Sequence, residues 1–219
     1  MSVDRERVAA LTRELLLAIG EDPDRPGLKQ TPARMAELYA EFFAGVGEDP
    51  AAPLARTISV SHGPAPDTLP SGAVLLRGIR FRSVCEHHLL PFAGHAHIAY
   101  LPGEQVVGLG ALVKVVEILA SRPQVQERLG EQIADAIATH LDARGVLVVL
   151  DAVHGCVTTR GGRQTDASTL TIAARGVYTD PIARAELIAL VGGTVPLGSL
   201  SEDDKGGRDE TRFPSGSAT

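Results

Sequence analysis

Two segments decide the fold and the chemistry predicted for this chain: Ser83-Val84-Cys85-Glu86-His87-His88 and Asp151-Ala152-Val153-His154-Gly155-Cys156-Val157. They contain its only two cysteines, and each cysteine lies near histidine. Two thiolates and an imidazole form a three-ligand zinc set and leave the fourth position to water, as in catalytic zinc sites. The alternative is that both cysteines are small buried hydrophobic residues and the histidines are core residues. Ligand spacing around both cysteines favours zinc, and therefore a zinc hydrolase.

The spacing within each segment indicates which side chains meet the metal. Cys85 and His88 are three positions apart, so both side chains of a short turn can reach one ion. Residues 146–156 are apolar and are predicted to form a strand. His154 and Cys156 would then point to the same face, because side chains alternate along a strand.

Four other histidines lie in or near these segments and are candidates for proton transfer or metal binding. His87 and His154 remain beside the metal as proton donors and acceptors for hydrolysis, since imidazole titrates near neutrality. His95 and His97 share one face of a predicted strand. For that pair, packing or hydrogen bonding is preferred over a second metal site.

Composition bounds the class of protein. The chain has 219 residues, of which 44% are hydrophobic, enough for one domain with a core. A net charge of −6, 4% aromatic residues and the absence of tryptophan argue against binding to nucleic acid or to an anionic membrane. No apolar run reaches the roughly 18 residues that span a bilayer. Residues 1–7 lack the apolar core of a signal peptide, so we expect a cytoplasmic protein with reduced cysteines.

Hydrophobic periodicity and turn residues predict an alternation of helices and strands. Helices are predicted over residues 8–19 with a stop at Gly20, from Thr31 as N-cap, over 108–120, from Pro123 to a stop at Gly145, and from Asp180-Pro181 to about residue 190. Strands are predicted over residues 56–60, 73–84, 93–101, 146–156 and 170–177. Sequential strand pairs around a helix pair predict an α+β fold with an antiparallel sheet. We expect an N-terminal helical region over 1–47, a catalytic domain over 48–192 and a disordered tail over 193–219.

Further motifs accompany the two segments in a fixed order. They are Gly20-Glu21-Asp22-Pro23, Gly27-Leu28, Thr31-Pro32-Ala33-Arg34, Leu89-Leu90-Pro91-Phe92, Arg122-Pro123-Gln124-Val125-Gln126-Glu127-Arg128-Leu129 and Arg160-Gly161. Together they resemble the GTP cyclohydrolase I family, the pterin-forming enzymes, over residues 15–192. The resemblance implies a tunnelling fold, an antiparallel four-stranded sheet with paired helices preceded by a helical region. It also implies a toroidal homo-oligomer, commonly a decamer of two stacked pentamers, with active sites between subunits.

The resemblance assigns a metal and proton-transfer groups. It implies that Cys85, His88 and Cys156 hold Zn²⁺. It implies that His154 protonates guanine N7 as C8 is attacked, and that His87 serves the proton transfers of ring opening and formyl release. The family then closes a pteridine ring, which gives 7,8-dihydroneopterin triphosphate.

The resemblance also assigns the groups that bind the guanine nucleotide. Glu127 would accept hydrogen bonds from guanine N1 and the exocyclic amine, and Gln126 with its backbone would complete base recognition. Arg34, Lys114 and Arg160 would bind the phosphates. Without the motif, Gln126 and Glu127 would be interpreted as part of a solvated helix face.

The phosphate side departs from the family pattern. Gly110 and Ala111 replace the usual serine and lysine, Lys114 replaces an arginine, and Glu37 replaces a residue that is often basic. Each charge-assisted hydrogen bond contributes roughly 1.5–3 kcal/mol, so two lost contacts cost a few powers of ten in affinity. One hypothesis is ordinary GTP activity; the other is a divergent relative that opens the ring of GMP, GDP or a modified guanosine.

Two other classes share the fold or the residues. One resembles the nitrile reductase of queuosine synthesis, which uses a nucleophilic cysteine and NADPH without the paired Cys-Glu-His-His and His-x-Cys segments. The other is a catalytically silent assembly protein. Both halves of the predicted zinc site are present here, and that argues against each of these classes.

Overall fold

The computed structural model describes residues 3–59 and 72–192. Its six helices are α1 (Arg5–Ala18), α2 (Thr31–Phe42), α3 (Leu109–Ala120), α4 (Gln126–Leu141), the single turn α5 (Gly155–Thr158) and α6 (Pro181–Gly192). Its seven strands are β1 (Thr57–Ser59), β2 (Val74–Cys85), β3 (Pro91–Leu101), β4 (Gln105–Val107), β5 (Pro123–Gln124), β6 (Gly145–His154) and β7 (Thr169–Gly176). The predicted tail over 193–219 and the last residue of the strand predicted over 56–60 lie outside the described residues.

The two N-terminal helices pack against each other ahead of the sheet. The backbone N–H of Arg7 donates to the Asp4 carboxylate at 2.9 Å, which caps α1, and Gly20 takes a positive φ of 86° just beyond its end. In α2, Gln30 is the N-cap and makes no side-chain cap. The prediction of Thr31 as N-cap was therefore wrong by one position; Pro32 still lies in the first turn, where its missing N–H costs nothing.

The main sheet confirms the predicted α+β tunnelling fold. Strands β2, β3, β6 and β7 are neighbours in that order, and each adjacent pair is antiparallel. A bulge between Leu76 and Ile79 includes Gly78, whose φ of 73° is accessible to glycine without strain. Strands β1 and β4 form a separate two-stranded antiparallel sheet.

The helix predicted from Pro123 begins later. Pro123 and Gln124 form β5, which runs parallel to β2 and aligns with Val84 and Cys85. The helical periodicity starts at Gln126, so this prediction was wrong by three residues. At the other end, the helix stops at Leu141 and Asp142 takes the left-handed conformation, whereas Gly145 opens β6.

The core lies between the sheet and the pair α3 and α4. Helix α4 turns one apolar face to this core, with Leu129, Ile133 and Ile137 fully buried at four-residue spacing. The opposite sheet face carries a smaller cluster in which Leu187 of α6 takes part. Among the described residues, no helix combines the length and apolar character needed to cross a bilayer.

Candidate active site at the end of the sheet

The first histidine segment is a tight turn that follows β2. Cys85 is buried at the end of the strand; its N–H donates to the Leu90 carbonyl at 2.8 Å and its carbonyl accepts from the Leu89 N–H at 2.8 Å. Leu89 has a φ of 53°, which closes the turn in the left-handed region. His87 and His88 project from this turn into solvent, with their ring centroids 6.4 Å apart.

Two contacts tie this turn to the start of α4. The Glu86 N–H donates to the Gln124 carbonyl at 3.0 Å, which continues the pairing of β2 with β5. The Glu86 carboxylate accepts two hydrogen bonds from Arg128, at 2.6 and 2.8 Å. Sequence reasoning missed this pair, because its partners are 42 positions apart and no local pattern links them.

The second histidine segment does not continue as a strand. Strand β6 ends at His154, and Cys156 lies on the helical turn α5. The pairing of β6 with β3 stops at His154 and Phe92. Pro91, the residue before Phe92 in β3, has no N–H with which to continue it. The prediction that His154 and Cys156 share a strand face was therefore wrong.

Gly155 allows the chain to turn over the end of β3. A Cβ at this position would lie 2.8 Å from the Pro91 carbonyl oxygen and 3.6 Å from the Leu90 Cβ. Only glycine permits this approach without displacing backbone. The close approach brings Cys156 to the same end of the sheet as the turn that follows Cys85.

The two segments that carry the predicted metal ligands lie at the same end of the sheet, but their ligand side chains do not converge on one point. Within residues 3–59 and 72–192, no three His, Cys, Asp or Glu side chains converge closely enough to bind one ion. Cys85 and Cys156 are both free thiols, the first buried and the second half-buried. Two thiols and the imidazole of His88 are the donor types that zinc takes, so the chemistry of the set fits zinc.

His154 is held by two neighbours from different elements. Its ring stacks on Phe92 with centroids 4.7 Å apart and an interplanar angle of 3°. Its Nε2 lies 2.6 Å from Oε1 of Gln126. Burial lowers the pKa of His154, and the nearby carboxylate of Glu127 opposes that shift. Phe92 was not predicted, because only the strand register aligns it with His154.

The two residues that open α4 face different surroundings. Gln126 is 1% exposed, and its amide nitrogen donates to backbone carbonyls of β6 and β7, so its side chain is held inside the protein. Glu127 is exposed, and among the described residues it has no hydrogen bond or ion pair. Its carboxylate is therefore available at the surface beside His154, whereas the Gln126 side chain is bonded within the protein.

The three predicted phosphate ligands lie on separate exposed segments and make local contacts. Arg34 on α2 donates to the Gln30 side chain at 2.9 Å, and Lys114 on α3 pairs with Glu117 at 2.6 Å. Arg160 follows α5, in a loop that is exposed throughout. No contact between described residues brings these three cations together.

Comparison with known proteins places the chain in a family. The family model for GTP cyclohydrolase I matches residues 8–192. GTP cyclohydrolase 1 of Leifsonia xyli subsp. xyli is 59% identical over 86% of this chain and 96% of that protein. The proteins of the same name from Rhodopirellula baltica and Carboxydothermus hydrogenoformans are 50% and 49% identical, over 86% and 89% of this chain and 80% and 98% of their own lengths.

A solved structure of archaeosine synthase QueF-Like in the apo form has a TM-score of 0.38 and 16% identity, over 48% of this chain and 93% of that chain. At that score the likeness does not bear on the assignment. The family match and the identities decide against the reductase alternative. The chain belongs to the GTP cyclohydrolase I family.

Proposed function

We propose that this protein opens the guanine imidazole ring of GTP at C8 by hydrolysis, releases formate and forms 7,8-dihydroneopterin triphosphate. The observation that carries the proposal is the 59% identity with the Leifsonia GTP cyclohydrolase 1 over 96% of that protein. The side-chain environment of His154, beside the free carboxylate of Glu127, supports it.

Zinc is the metal that fits the donor set. Cys85, His88 and Cys156 would hold it; the two thiols are free, and both segments lie at one end of the sheet. When bound, zinc would supply a Lewis acid that lowers the pKa of the hydrolytic water. Because metal binding and local folding are coupled, the ion is expected to draw these side chains together. A cytoplasmic location would keep both thiols reduced and available.

The chain's own residues would bind and orient the nucleotide. Glu127, with two acceptor oxygens and no partner among the described residues, would accept from guanine N1 and the exocyclic amine. His154 would exchange a proton with N7, and the exposed ring of His87 would serve ring opening. Three cations would bind the phosphates: Arg34, Lys114 and Arg160.

A toroidal homo-oligomer, commonly a decamer in this family, would complete the site between subunits. Four large aliphatic side chains of α1 and its C-cap are between 50% and 65% exposed: Leu11, Leu15, Leu17 and Ile19. In the described part of the chain, β7 has no strand on its outer edge, and β5 covers only the last two residues of β2. Open sheet edges and an apolar helix face favour association with further copies.

A second candidate function is supported by the charges near the phosphate residues. Glu37 is exposed on α2, and Lys114 is paired with Glu117. This arrangement weakens attraction for a tetra-anionic triphosphate and favours a less phosphorylated guanine nucleotide, such as GMP or GDP, or a modified guanosine.

A substrate panel separates the two functions. Zinc-loaded protein is given GTP, GDP, GMP or guanosine, and formate and oxidised fluorescent pterin are measured. The first function predicts the highest kcat/KM and the pterin with GTP; a higher kcat/KM with a less phosphorylated compound favours the second. Absence of formate from every guanine compound contradicts both.

Metal variants test the zinc assignment. Cys85→Ser and Cys156→Ser are expected to lose bound zinc, measured per subunit by elemental analysis, and formate release. The control His140→Gln alters a histidine at the exposed end of α4 and is expected to retain both. Zinc at wild-type stoichiometry in both cysteine variants would contradict the assignment.

A further inference from the structure

The side chain of Gln126 joins His154 to the two neighbouring strands. Its Oε1 is 2.6 Å from Nε2 of His154, and its Nε2 donates to the Leu150 carbonyl at 3.0 Å and the Thr169 carbonyl at 2.8 Å. The residue is 1% exposed. The amide nitrogen therefore donates to the protein, and its oxygen uses one of its two acceptor positions on His154.

The two carbonyls decide which way the amide points. A carbonyl oxygen only accepts hydrogen bonds, so both must face the NH₂ group of Gln126. The reversed amide would set its own oxygen against both carbonyl oxygens and would leave buried acceptors without donors. The amide oxygen therefore faces His154.

The orientation of Gln126 in turn decides where the histidine carries its hydrogen. An amide oxygen is an acceptor only, so a contact of 2.6 Å with His154 requires a hydrogen on Nε2. Stacking on Phe92 fixes the plane of the ring. Among the described residues, none makes a hydrogen bond to His154 Nδ1. Nδ1 is thus the nitrogen left for substrate.

We infer that Gln126 is a positioning residue that holds His154 as the Nε2–H tautomer and makes Nδ1 the atom that exchanges a proton with guanine N7. Nδ1 takes up a proton from solvent water on its lone pair and donates it to N7, while Nε2 keeps its hydrogen in the bond to the Gln126 oxygen. The role in proton exchange rests on the proposed function. The assignment of the tautomer rests only on the hydrogen bonds of Gln126. It replaces direct contact of the Gln126 side chain with the base.

The tautomer is read by nitrogen NMR of the zinc-loaded protein labelled with ¹⁵N-histidine. His154→Asn identifies the signals of His154. The expected result is a pyrrole-like Nε2 and a pyridine-like Nδ1. A pyridine-like Nε2 overturns the inference whether or not the protein turns over GTP. If the tautomer is as expected but no guanine compound releases formate, the proposed function falls and the tautomer assignment stands.

The role in catalysis is read by a double-mutant comparison. Gln126→Leu is expected to lower kcat about 10- to 100-fold, the range for removing a group that orients a functional histidine, with KM nearly unchanged. In the His154→Ala background the same substitution is expected to have no further effect, because Gln126 acts through that ring. A raised KM with unchanged kcat, or an equal loss of kcat in the His154→Ala background, overturns the inference.

Two further variants guard against a purely structural effect. Gln126→Glu keeps an oxygen opposite Nε2–H but sets its second oxygen against the Leu150 and Thr169 carbonyls, so it is expected to retain the tautomer and to be less stable than the unaltered protein. Thr171→Val removes only the 3.2 Å contact to the Gln126 amide nitrogen, so the tautomer and kcat are expected to stay as in the unaltered protein. Loss of the tautomer in Gln126→Glu overturns the inference. If Gln126→Leu does not fold, the tautomer in the unaltered protein still decides the first part.

Discussion

Arg128 holds Glu86 through two parallel hydrogen bonds, Nη1 to Oε2 at 2.6 Å and Nη2 to Oε1 at 2.8 Å. The pair joins the first turn of α4 to the turn that carries His87 and His88. Hydrogen bonding and charge from Arg128 lower the pKa of Glu86, and partial desolvation opposes them. One helix end thus holds both histidine segments, since Gln126 contacts His154 and Arg128 contacts Glu86.

The two hydrogen bonds from Arg128 to Glu86 predict that replacing Arg128 lowers activity even when the positive charge is kept. Arg128→Lys keeps the positive charge but loses the planar fork that bonds both carboxylate oxygens. We expect zinc content per subunit and kcat to fall, kcat by about tenfold, as when outer groups of a metal site are removed. The control is Arg175→Lys, because Arg175 likewise pairs with two carboxylates, Asp135 and Glu131, away from the turn. Equal losses of kcat in the two variants would contradict a specific role for Arg128.

Glu37 on α2 predicts that reversing its charge improves binding of GTP. Glu37→Lys replaces an exposed anion with a cation on the helix of Arg34, so KM for GTP is expected to fall about 10- to 100-fold, the equivalent of one charge-assisted bond. KM for guanosine, which has no phosphate, is expected to remain unchanged. The same charge reversal at exposed Glu104 is the control for the effect of net charge. If Glu104→Lys lowers KM for GTP equally, Glu37 has no local role.

The close approach of Gly155 to Pro91 predicts that a single methyl group disturbs the site. Gly155→Ala sets a Cβ 2.8 Å from a backbone oxygen, so the backbone of α5 must shift. We expect a loss of about 1–3 kcal/mol in the free energy of unfolding and a lower zinc content, as Cys156 is displaced.

Gly110→Ala is the matched control for that substitution. A Cβ at Gly110 meets no atom of the described residues within 4 Å, and the position lies in α3. Alanine there is expected to raise stability by about 0.5–1 kcal/mol, as measured by urea unfolding at fixed protein concentration. Equal stability of the Gly155→Ala variant and the unaltered protein would show that the backbone accommodates the methyl group freely.

His97 predicts a decline in stability at acid pH. Burial lowers its pKa, as do the positive charges of His95 and Arg77, while Asp151 opposes the shift. Its Nδ1 is buried and has no hydrogen-bond partner within residues 3–59 and 72–192. Because the folded pKa is below the unfolded value of about 6.5, the unfolded chain binds a proton first, and the contribution to stability is lost as pH falls below about 6.5.

His97→Val removes this proton-binding difference. The urea midpoint of the variant is expected to fall less than that of the unaltered protein between pH 7.5 and pH 5. The slope is reduced and not abolished, since burial also lowers the pKa of His154. Identical pH profiles for the two proteins would contradict a contribution from His97.

Much of the fold could be predicted because local patterns specify it. The apolar stripe of α4 repeats at helical spacing, the main strands are bounded by turn residues, and Asp180 caps α6 by accepting from Ile182 and Ala183 N–H groups, as predicted. The two cysteine–histidine segments, read together with the motifs around them, also indicated the family. These features depend on neighbours within a few positions, and sequence displays such neighbours directly.

The remaining features depend on partners far apart in the chain. Strand β5 has only two residues and exists because β2 lies beside it; the single turn α5 replaces a strand because Pro91 ends the ladder beneath it. The direction of the Gln126 side chain is set by carbonyls of β6 and β7, more than twenty positions away. The sequence by itself determined the elements, the candidate ligands and the family. Only the tertiary structure decided which nitrogen of His154 is free, because that depends on packing between strands that no local pattern encodes.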